Sequence, residues 1–185
     1  MASNPNNQRP RFPVSSLKND GWSTEDEATA TCLCGAVQLV FRHHSNILRQ
    51  PTHGPGLGTR GLCHCADCRK ISSSMFCSIF VVDDNYLRHV RGRENLKTFS
   101  QSRTTASSNT MTNYFCNTCG GLLYRVSSGL PGKSILRLGT IDDISLAETK
   151  MKPQIEIFTE SRVGWQAPLD GIKQSKGGTA PEDGA

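Results

Sequence analysis

The stretch CHCADCRK, residues 63–70, decides the fold because it places three cysteines within six positions. Two further cysteine motifs stand apart from it in the chain, CLCG at residues 32–35 and CNTCGG at residues 116–121. Of the eight cysteines only Cys77 lies outside these motifs. Ordinary core cysteines have no reason to cluster in this way, and cysteines two positions apart seldom reach disulfide geometry. The clustering predicts metal ligation, with glycines permitting the tight turns that let thiolates converge.

The clustered cysteines divide into a set of four and a set of three. The four-cysteine set is Cys32, Cys34, Cys116 and Cys119. It can supply a closed tetrahedron of thiolates, which is typical of a structural zinc site. The three-cysteine set is Cys63, Cys65 and Cys68. Three protein ligands with an open fourth position are typical of a catalytic zinc. The sequence therefore predicts two zinc ions per chain, one structural and one catalytic.

Three residues are candidates for a fourth ligand that would close the second site. They are His53, His64 and Cys77. His64 lies between two ligands and would have to point the same way as both, while Cys77 begins an apolar run and is interpreted more simply as a core residue. Closure by any of them would make the second site structural as well, because no position for a substrate would remain.

The composition indicates one soluble domain of ordinary size. The 185 residues are 36% hydrophobic and 20% charged, and no stretch approaches the ~18 apolar residues of a membrane helix. The N-terminal sequence lacks the apolar segment of a secretory signal, so we expect a reducing, cytoplasmic location where disulfides are rare. The net charge of +5 is scattered and aromatics are only 6%, which does not favour nucleic-acid binding.

Short alternating apolar runs predict a mainly β, mainly antiparallel domain over residues 27–170. The predicted strands cover residues 35–42, 76–82, 87–91, 96–99, 110–115, 122–126, 135–140 and 155–159. Two short helices are expected, at residues 66–73 and 142–148. A polar arm at residues 1–26 and a Gly-rich tail at residues 171–185 are expected to be flexible or disordered. Residues 43–62 are expected to form a long loop, a candidate lid over the second site.

The order of the motifs resembles the glutathione-dependent formaldehyde-activating family, within the centromere protein V superfamily. The resemblance rests on C-x-C-G, C-H-C-x-x-C-R-K and F-C-x-x-C-G, followed by the late segment IEIFTESRVGW, residues 155–165. It implies an Mss4-like compact antiparallel β fold with zinc knuckles and one or two short helices. It also implies the same division into a structural and a catalytic zinc. The founding activity of the family joins formaldehyde to glutathione and is classed, in reverse, as a carbon–sulfur lyase.

From the motifs and the resemblance together we expect a zinc-dependent carbon–sulfur lyase acting on a glutathione or related thiol adduct. The candidate catalytic residues are Cys63, Cys65, Cys68, Arg69 and Lys70, and the candidate substrate-binding residues are Ser73, Ser74 and Phe76. Glutathione is the candidate co-substrate, no membrane partner is expected, and a homodimer is left open. Two alternatives stay open as well. One is a metabolite-tailoring lyase, isomerase or hydrolase that uses the same zinc without glutathione. The other is a non-catalytic zinc module that binds protein or nucleic acid.

Overall fold

The structure is a computed structural model that describes residues 17–43, 57–105 and 107–178. The protein is mainly β. Its strands are β1 (Glu27–Thr31), β2 (Gln38–Arg42), β3 (Leu57–Cys63), β4 (Cys77–Asp83), β5 (Leu87–Arg91), β6 (Leu96–Gln101), β7 (Met111–Cys116), β8 (Leu122–Ser127), β9 (Lys133–Arg137), β10 (Ile155–Ile157) and β11 (Lys173–Gln174). Its helices are α1 (Ala66–Ser72) and α2 (Ile144–Glu148), and four 3-10 turns connect other elements. No helix in the described part of the chain is long and apolar enough to cross a bilayer.

The strands form two sheets. The smaller has the order β1-β2-β5, and the larger has the order β11-β10-β3-β4-β9-β8-β7-β6. Neighbouring strands are antiparallel except at one end of the large sheet, where β10 runs parallel to both β3 and β11. The parallel pairs bring the late segment of the chain beside the strand that carries the first cysteine of the three-cysteine set, since Ile157 pairs with Cys63.

The large sheet has a different apolar cluster on each face. Side chains alternate between faces along a strand, so in β9 Leu136 enters the main core while Ile135 points to the other side. The main core lies between the two sheets and includes Phe41, Phe80 and Leu136. Ile135 belongs to a second, smaller cluster on the opposite face, which also contains Cys63, Cys68, Cys77, Ile79, Ile155 and Ile157. The two cysteine sets therefore belong to different faces, because Cys32 and Cys116 are part of the main core.

Helix α1 is short and begins at a cysteine ligand. Cys65 is its N-cap residue, and the Cys65 sulfur accepts a hydrogen bond from the Cys68 amide at 3.4 Å. The helix ends at Ser73, whose left-handed backbone (φ 53°) stops helical propagation. Asp67 anchors the helix to β6 by accepting a hydrogen bond from the Gln101 side chain at 2.9 Å. The first turn of α1 thus lies close to both the end of β3 and the end of β6.

The expectation of a mainly β fold with one or two short helices is confirmed, and each predicted strand and helix overlaps an observed one. Three strands were not predicted, and the third, β11, lies in the expected tail. Strand β1 is absent from the expected set, and β3 occupies the end of the region expected to be a loop, residues 43–62. The loop expectation was wrong for residues 57–62, because Gly58 and Gly61 are strand residues packed closely against β4 and β10. Residues 44–56 lie outside the described residues.

The expected arm and tail are partly described. Residues 17–26 contact the domain, for instance through the Leu17 amide, which donates to the Leu33 carbonyl at 3.0 Å. The structure differs from the expected disordered tail at residues 171–178, since Lys173–Gln174 forms β11 and the Ser175 amide donates to the Glu156 carbonyl at 2.8 Å. The physical reason is that β10 offers an open row of backbone groups to pair with. Residues 1–16 and 179–185 lie outside the described residues.

Candidate metal centres and active site

The structure brings the four-cysteine set together from two distant hairpins. One ligand atom from each of Cys32, Cys34, Cys116 and Cys119 lies within 4.8 Å of every other. The Cys32 and Cys34 sulfurs are 3.5 Å apart, and the Cys34 and Cys116 sulfurs are 3.6 Å apart. In a tetrahedron with metal–sulfur bonds of about 2.3 Å the sulfurs lie about 3.8 Å apart. The spacing and the thiol donors fit a closed zinc site.

Tight turns at both hairpins aim these thiols at one point. The Gly35 amide donates to the Cys32 carbonyl and the Gly120 amide donates to the Cys116 carbonyl, each at 2.9 Å. Both glycines have a positive φ, 75° and 70°, which a side chain would strain. The glycine that follows each pair in the sequence is therefore required by the backbone, as the motif predicts.

The three-cysteine set is assembled at the junction of β3 and α1. Ligand atoms of Cys63, Cys65 and Cys68 lie within 4.8 Å of one another, and the Cys63 and Cys65 sulfurs are 3.5 Å apart. Cys63 and Cys68 are buried and Cys65 is half-buried. This set also has the donors and the spacing for zinc, with three ligands instead of four.

The close approach of the three thiols separates their pKa values. The neighbouring thiols Cys65 and Cys68 raise the pKa of Cys63, and burial raises it further. The hydrogen bond from Cys63 lowers the pKa of Cys65, and the positive charge of Arg125 acts in the same direction. Buried thiolates so close together repel one another, so a cation is needed before all three can ionise.

Neither of the two described candidates for a fourth ligand joins the three-cysteine set. His64 points away and its Nε2 lies 2.8 Å from a Glu156 carboxylate oxygen. The Cys77 thiol donates to the Cys68 carbonyl at 3.2 Å, as a buried residue at the start of β4. The third candidate, His53, lies outside the described residues. Within the described residues, no further His, Cys, Asp or Glu side chain groups with the three thiols.

His64 belongs to a buried polar network that holds the ligand loop. His64 and Glu156 are fully buried, and Arg162 donates to the same Glu156 oxygen at 2.7 Å. The Leu169 amide donates to the other oxygen at 2.6 Å. Burial alone would raise the pKa of Glu156, but the hydrogen bonds from Leu169, Arg162 and His64 outweigh it and lower that pKa. The network ties the residue between two candidate ligands to β10 and to the segment that follows it.

Two buried arginines lie on the face of the sheet that carries the three-cysteine set. Arg137 on β9 is 7% exposed and Arg125 on β8 is 6% exposed. Arg137 alternates with the core residue Leu136, and Arg125 pairs across the strands with Ile135 of the second cluster. The sequence interpretation missed both. The available signal was an arginine between apolar residues in each strand, LYRVS (123–127 within β8) and SILR (134–137).

The other residues predicted for the site lie on or after α1. Lys70 is exposed and Arg69 is half-buried, with its Nε atom buried and without a hydrogen-bond partner. Ser73 and Ser74 are exposed, and neither side chain makes a hydrogen bond to a described residue. Phe76 is half-buried, with its ring centroid 6.0 Å from that of His64. Their roles in binding or catalysis stay predictions.

The fold and the two thiol clusters define a mainly β protein with two candidate metal centres of unequal ligand number. The family model of the glutathione-dependent formaldehyde-activating enzymes matches residues 27–161, most of the chain. The protein therefore belongs to the glutathione-dependent formaldehyde-activating enzyme family, as the motifs indicated. The matched residues include both cysteine sets.

Individual relatives add little to this assignment. No curated protein matches the sequence. The crystal structure of a Rhodobacter sphaeroides protein, a structural-genomics target, resembles this one with a TM-score of 0.45 and 19% sequence identity, over 80% of this chain and 98% of the other. A TM-score and a sequence identity this low support no conclusion about fold or function.

Proposed function

We propose that the protein is a zinc-dependent carbon–sulfur lyase that acts on an adduct of an aldehyde with glutathione or a related thiol. The family membership supports glutathione-related chemistry. One observation carries the proposal. Three thiols converge at the end of β3, and no fourth side-chain ligand joins them from the described residues. A site with three protein ligands leaves room for a substrate atom, whereas a site with four does not.

The three cysteines would hold zinc, and the ion when bound would supply a position that takes a thiol sulfur in its thiolate form. In the synthetic direction the sulfur of the thiol adds to the aldehyde carbon, a carbon–sulfur bond forms, and the thiol proton ends on the aldehyde oxygen. The reverse direction breaks the same bond. The choice of thiolate donors favours a soft ligand over activated water.

The surroundings of the three-cysteine set suit this reaction. Burial of Cys63 and Cys68 excludes bulk water, which strengthens electrostatic interactions at the site. The His64–Glu156 pair fixes the loop that carries Cys63 and Cys65. Arg69 and Lys70 place positive charge on the helix that carries Cys68, where a ligand carboxylate can approach. Ser73, Ser74 and Phe76 stay candidates for contacts with the remainder of the substrate.

The four-cysteine set would hold a second zinc with a structural role. Its residues join the β1–β2 hairpin to the turn between β7 and β8, and two of them belong to the main core. A closed thiolate site contributes to folding and leaves no place for a substrate.

The direct test is exchange of carbon-13 formaldehyde with glutathione, followed by NMR at equilibrium. The zinc-loaded protein should accelerate formation and breakdown of the hydroxymethyl thioether, and Cys65→Ser should abolish the acceleration. Cys77→Ala is the matched control, because it removes a buried thiol of the same face that is not part of the three-cysteine set. Turnover of an aldehyde or thioether without glutathione would favour the metabolite-tailoring alternative, and a fourth protein ligand from His53 would favour the binding module.

A further inference from the structure

Arg137 and Arg125 are buried cations on the face of the large sheet that carries the three-cysteine set. The Nε, Nη1 and Nη2 atoms of Arg137 and the Nε atom of Arg125 are buried and have no hydrogen-bond partner among the described residues. Neither side chain forms an ion pair with a described acidic residue. A guanidinium stays charged at any physiological pH, and an uncompensated buried charge is strongly destabilising. The described residues therefore offer no carboxylate to either guanidinium on this face.

The strand register places both arginines beside the three-cysteine set. Cys63 on β3 pairs with Cys77 on β4, and Ile79 on β4 pairs with Arg137 on β9. Arg137 thus lies two strands across and two residues along from Cys63, about 12 Å at the backbone given about 4.8 Å per strand and about 3.4 Å per residue. Arg125 lies one strand further along the same face. Side chains on one face of neighbouring strands lie beside one another, so both guanidiniums share the face that carries Cys63.

The cysteines alone do not satisfy these donors. None of the buried Arg137 nitrogens hydrogen bonds to a sulfur or oxygen atom of the described chain. With a divalent ion in place, three thiolates leave one negative charge, and two guanidiniums convert it to one positive charge. A substrate thiolate on the ion would neutralise that charge, but it would leave the guanidinium donors of Arg137 without an acceptor among the described residues. The planar guanidinium fork matches the two oxygens of a carboxylate, which a thiolate sulfur cannot replace.

We propose that Arg125 and Arg137 form an oxoanion pocket beside the three-cysteine set, and that the thiol substrate carries a carboxylate that occupies it. This inference rests on the proposed function, because it assumes that a thiol sulfur binds at the three-cysteine set. It replaces Arg69 and Lys70 as the principal carboxylate partners, since Lys70 is exposed and a surface ion pair contributes little. The substrate class becomes acidic thiols and their aldehyde adducts.

Two small thiols that differ in one group test the pocket. Mercaptoacetate and 2-mercaptoethanol both offer a sulfur, but only the first carries a carboxylate. Calorimetric titration of the zinc-loaded protein should show mercaptoacetate binding at least about tenfold more tightly, the order expected for charge-assisted hydrogen bonds. The ratio of the two affinities isolates the carboxylate, because any general effect on sulfur binding cancels.

Variants then assign the preference to the arginines. Arg137→Met and Arg125→Met should each reduce the ratio several-fold, and Arg137→Lys should recover part of it, since it keeps the charge without the fork. Arg88→Met is the matched control on the smaller sheet, where the Arg88 side chain is 59% exposed, and it should leave the ratio unchanged. If a methionine variant fails to fold, the lysine variant and the ratio in the unaltered protein still decide the question.

Three outcomes would overturn the pocket. The first is a ratio near one in the unaltered protein. The second is a ratio that survives in both methionine variants. The third is loss of zinc in Arg137→Met while NMR titration still shows acetate binding to that variant, which would make the arginines counter-charges for the thiolates only. If neither thiol binds, the proposed function fails, and the pocket is decided separately by NMR titration with acetate. Acetate binding that requires Arg137 would retain the pocket, and its absence would reject it.

Discussion

The two cysteine sets have the same donor atom, the thiol sulfur, but differ in ligand number and in their place in the fold. The four-cysteine set joins residues as far apart as Cys34 and Cys116, 82 positions in the chain, and it is part of the main core. The three-cysteine set comes from six consecutive positions and lies in a small cluster on the other face of the sheet. By the loop-closure argument used for disulfides, a link across about 80 residues is worth about 4.5 kcal/mol, and a link across six about half as much. The two sets therefore differ in their position in the chain and in ligand number, while the donor chemistry is the same.

The largest expected effect is on stability, and it should come from the four-cysteine set alone. Cys116→Ser removes one of four ligands from a site whose metal contributes to folding, and apparent zinc-binding energies of about 10–16 kcal/mol exceed the net stability of most domains. We expect this variant to be largely unfolded or insoluble at 37 °C. Cys65→Ser should retain the fold and lose thiol binding. Circular dichroism melts of both variants give the comparison, and equal losses of Tm would make both sites structural.

The second expected difference is in the rate of metal release. A chelator should remove the zinc of the three-cysteine set first, because an open site can accept an incoming ligand, and the zinc of the closed set only as the protein unfolds. Release followed with a chromogenic zinc indicator should show two phases of equal amplitude that differ at least about tenfold in rate. A single phase would contradict the distinction between the sites, as would fewer than two ions per chain in fresh protein.

An intermediate effect is expected from Glu156, which supports the loop between Cys63 and Cys65. Glu156→Gln removes a fully buried carboxylate from between His64 and Arg162 and should lower the free energy of unfolding by about 3 kcal/mol. The matched control is Glu160→Gln, whose ion pair with Lys176 is exposed and should contribute less than about 0.5 kcal/mol. Urea denaturation measures both.

The contribution of Glu156 should also depend on pH. Its pKa is below the usual carboxyl value of 4.5 in the folded protein, so the unfolded chain takes up the proton first as pH falls. The stabilisation is therefore fully present above that value and is lost as pH falls through the lowered folded pKa. The difference between the unaltered protein and Glu156→Gln should be constant near neutral pH and should shrink in acid. A difference that persists unchanged well below pH 4.5 would show that the carboxylate charge is not its source.

The smallest expected effect concerns the turns of the four-cysteine set. Gly120 has a positive φ, and a β-carbon built on it meets no atom within 4 Å. Gly120→Ala should therefore cost only the backbone strain, about 1–2 kcal/mol, with both metals retained. Gly92 has a similar φ, but its β-carbon would lie 2.0 Å from the Ala36 carbonyl oxygen, so Gly92→Ala should cost clearly more. Equal Tm shifts in Gly120→Ala and Gly92→Ala would show that the close contact with Ala36 does not matter.

The sequence predicted the sites better than it predicted the strands that carry them. Thiolates converge only at short spacings followed by flexible residues, so the cysteine motifs identified both sets directly. Strand β3 was not predicted because its glycines are more typical of a loop than of a strand. A β-carbon on Gly61 would lie 2.6 Å from the Ile155 carbonyl oxygen, and one on Gly58 would lie 3.1 Å from the Val81 β-carbon. These glycines allow neighbouring strands to approach closely, which no single-residue preference reveals.

The sequence did not indicate the buried arginines, Arg125 and Arg137, for a different reason. An isolated arginine in a strand is normally interpreted as solvent-exposed, because charged residues are almost never fully buried. Its burial depends on which face of the sheet helix α1 covers, and that depends on pairings between residues far apart in sequence. His64 shows the same dependence, since its direction is decided by Glu156, 92 positions away.

Strand β11 covers the backbone edge of β10, where another copy of the protein could otherwise pair. Without it, β10 would be the outer strand of the large sheet, and its unpaired amides and carbonyls would offer a template for another chain. β11 is two residues long, exposed and carries a lysine, which makes it a poor template. The family match ends at residue 161, before this strand. A protein shortened to the matched region would lose β11 and the Leu169 amide that donates to Glu156. The solubility of the full chain therefore depends in part on residues that the family pattern does not include.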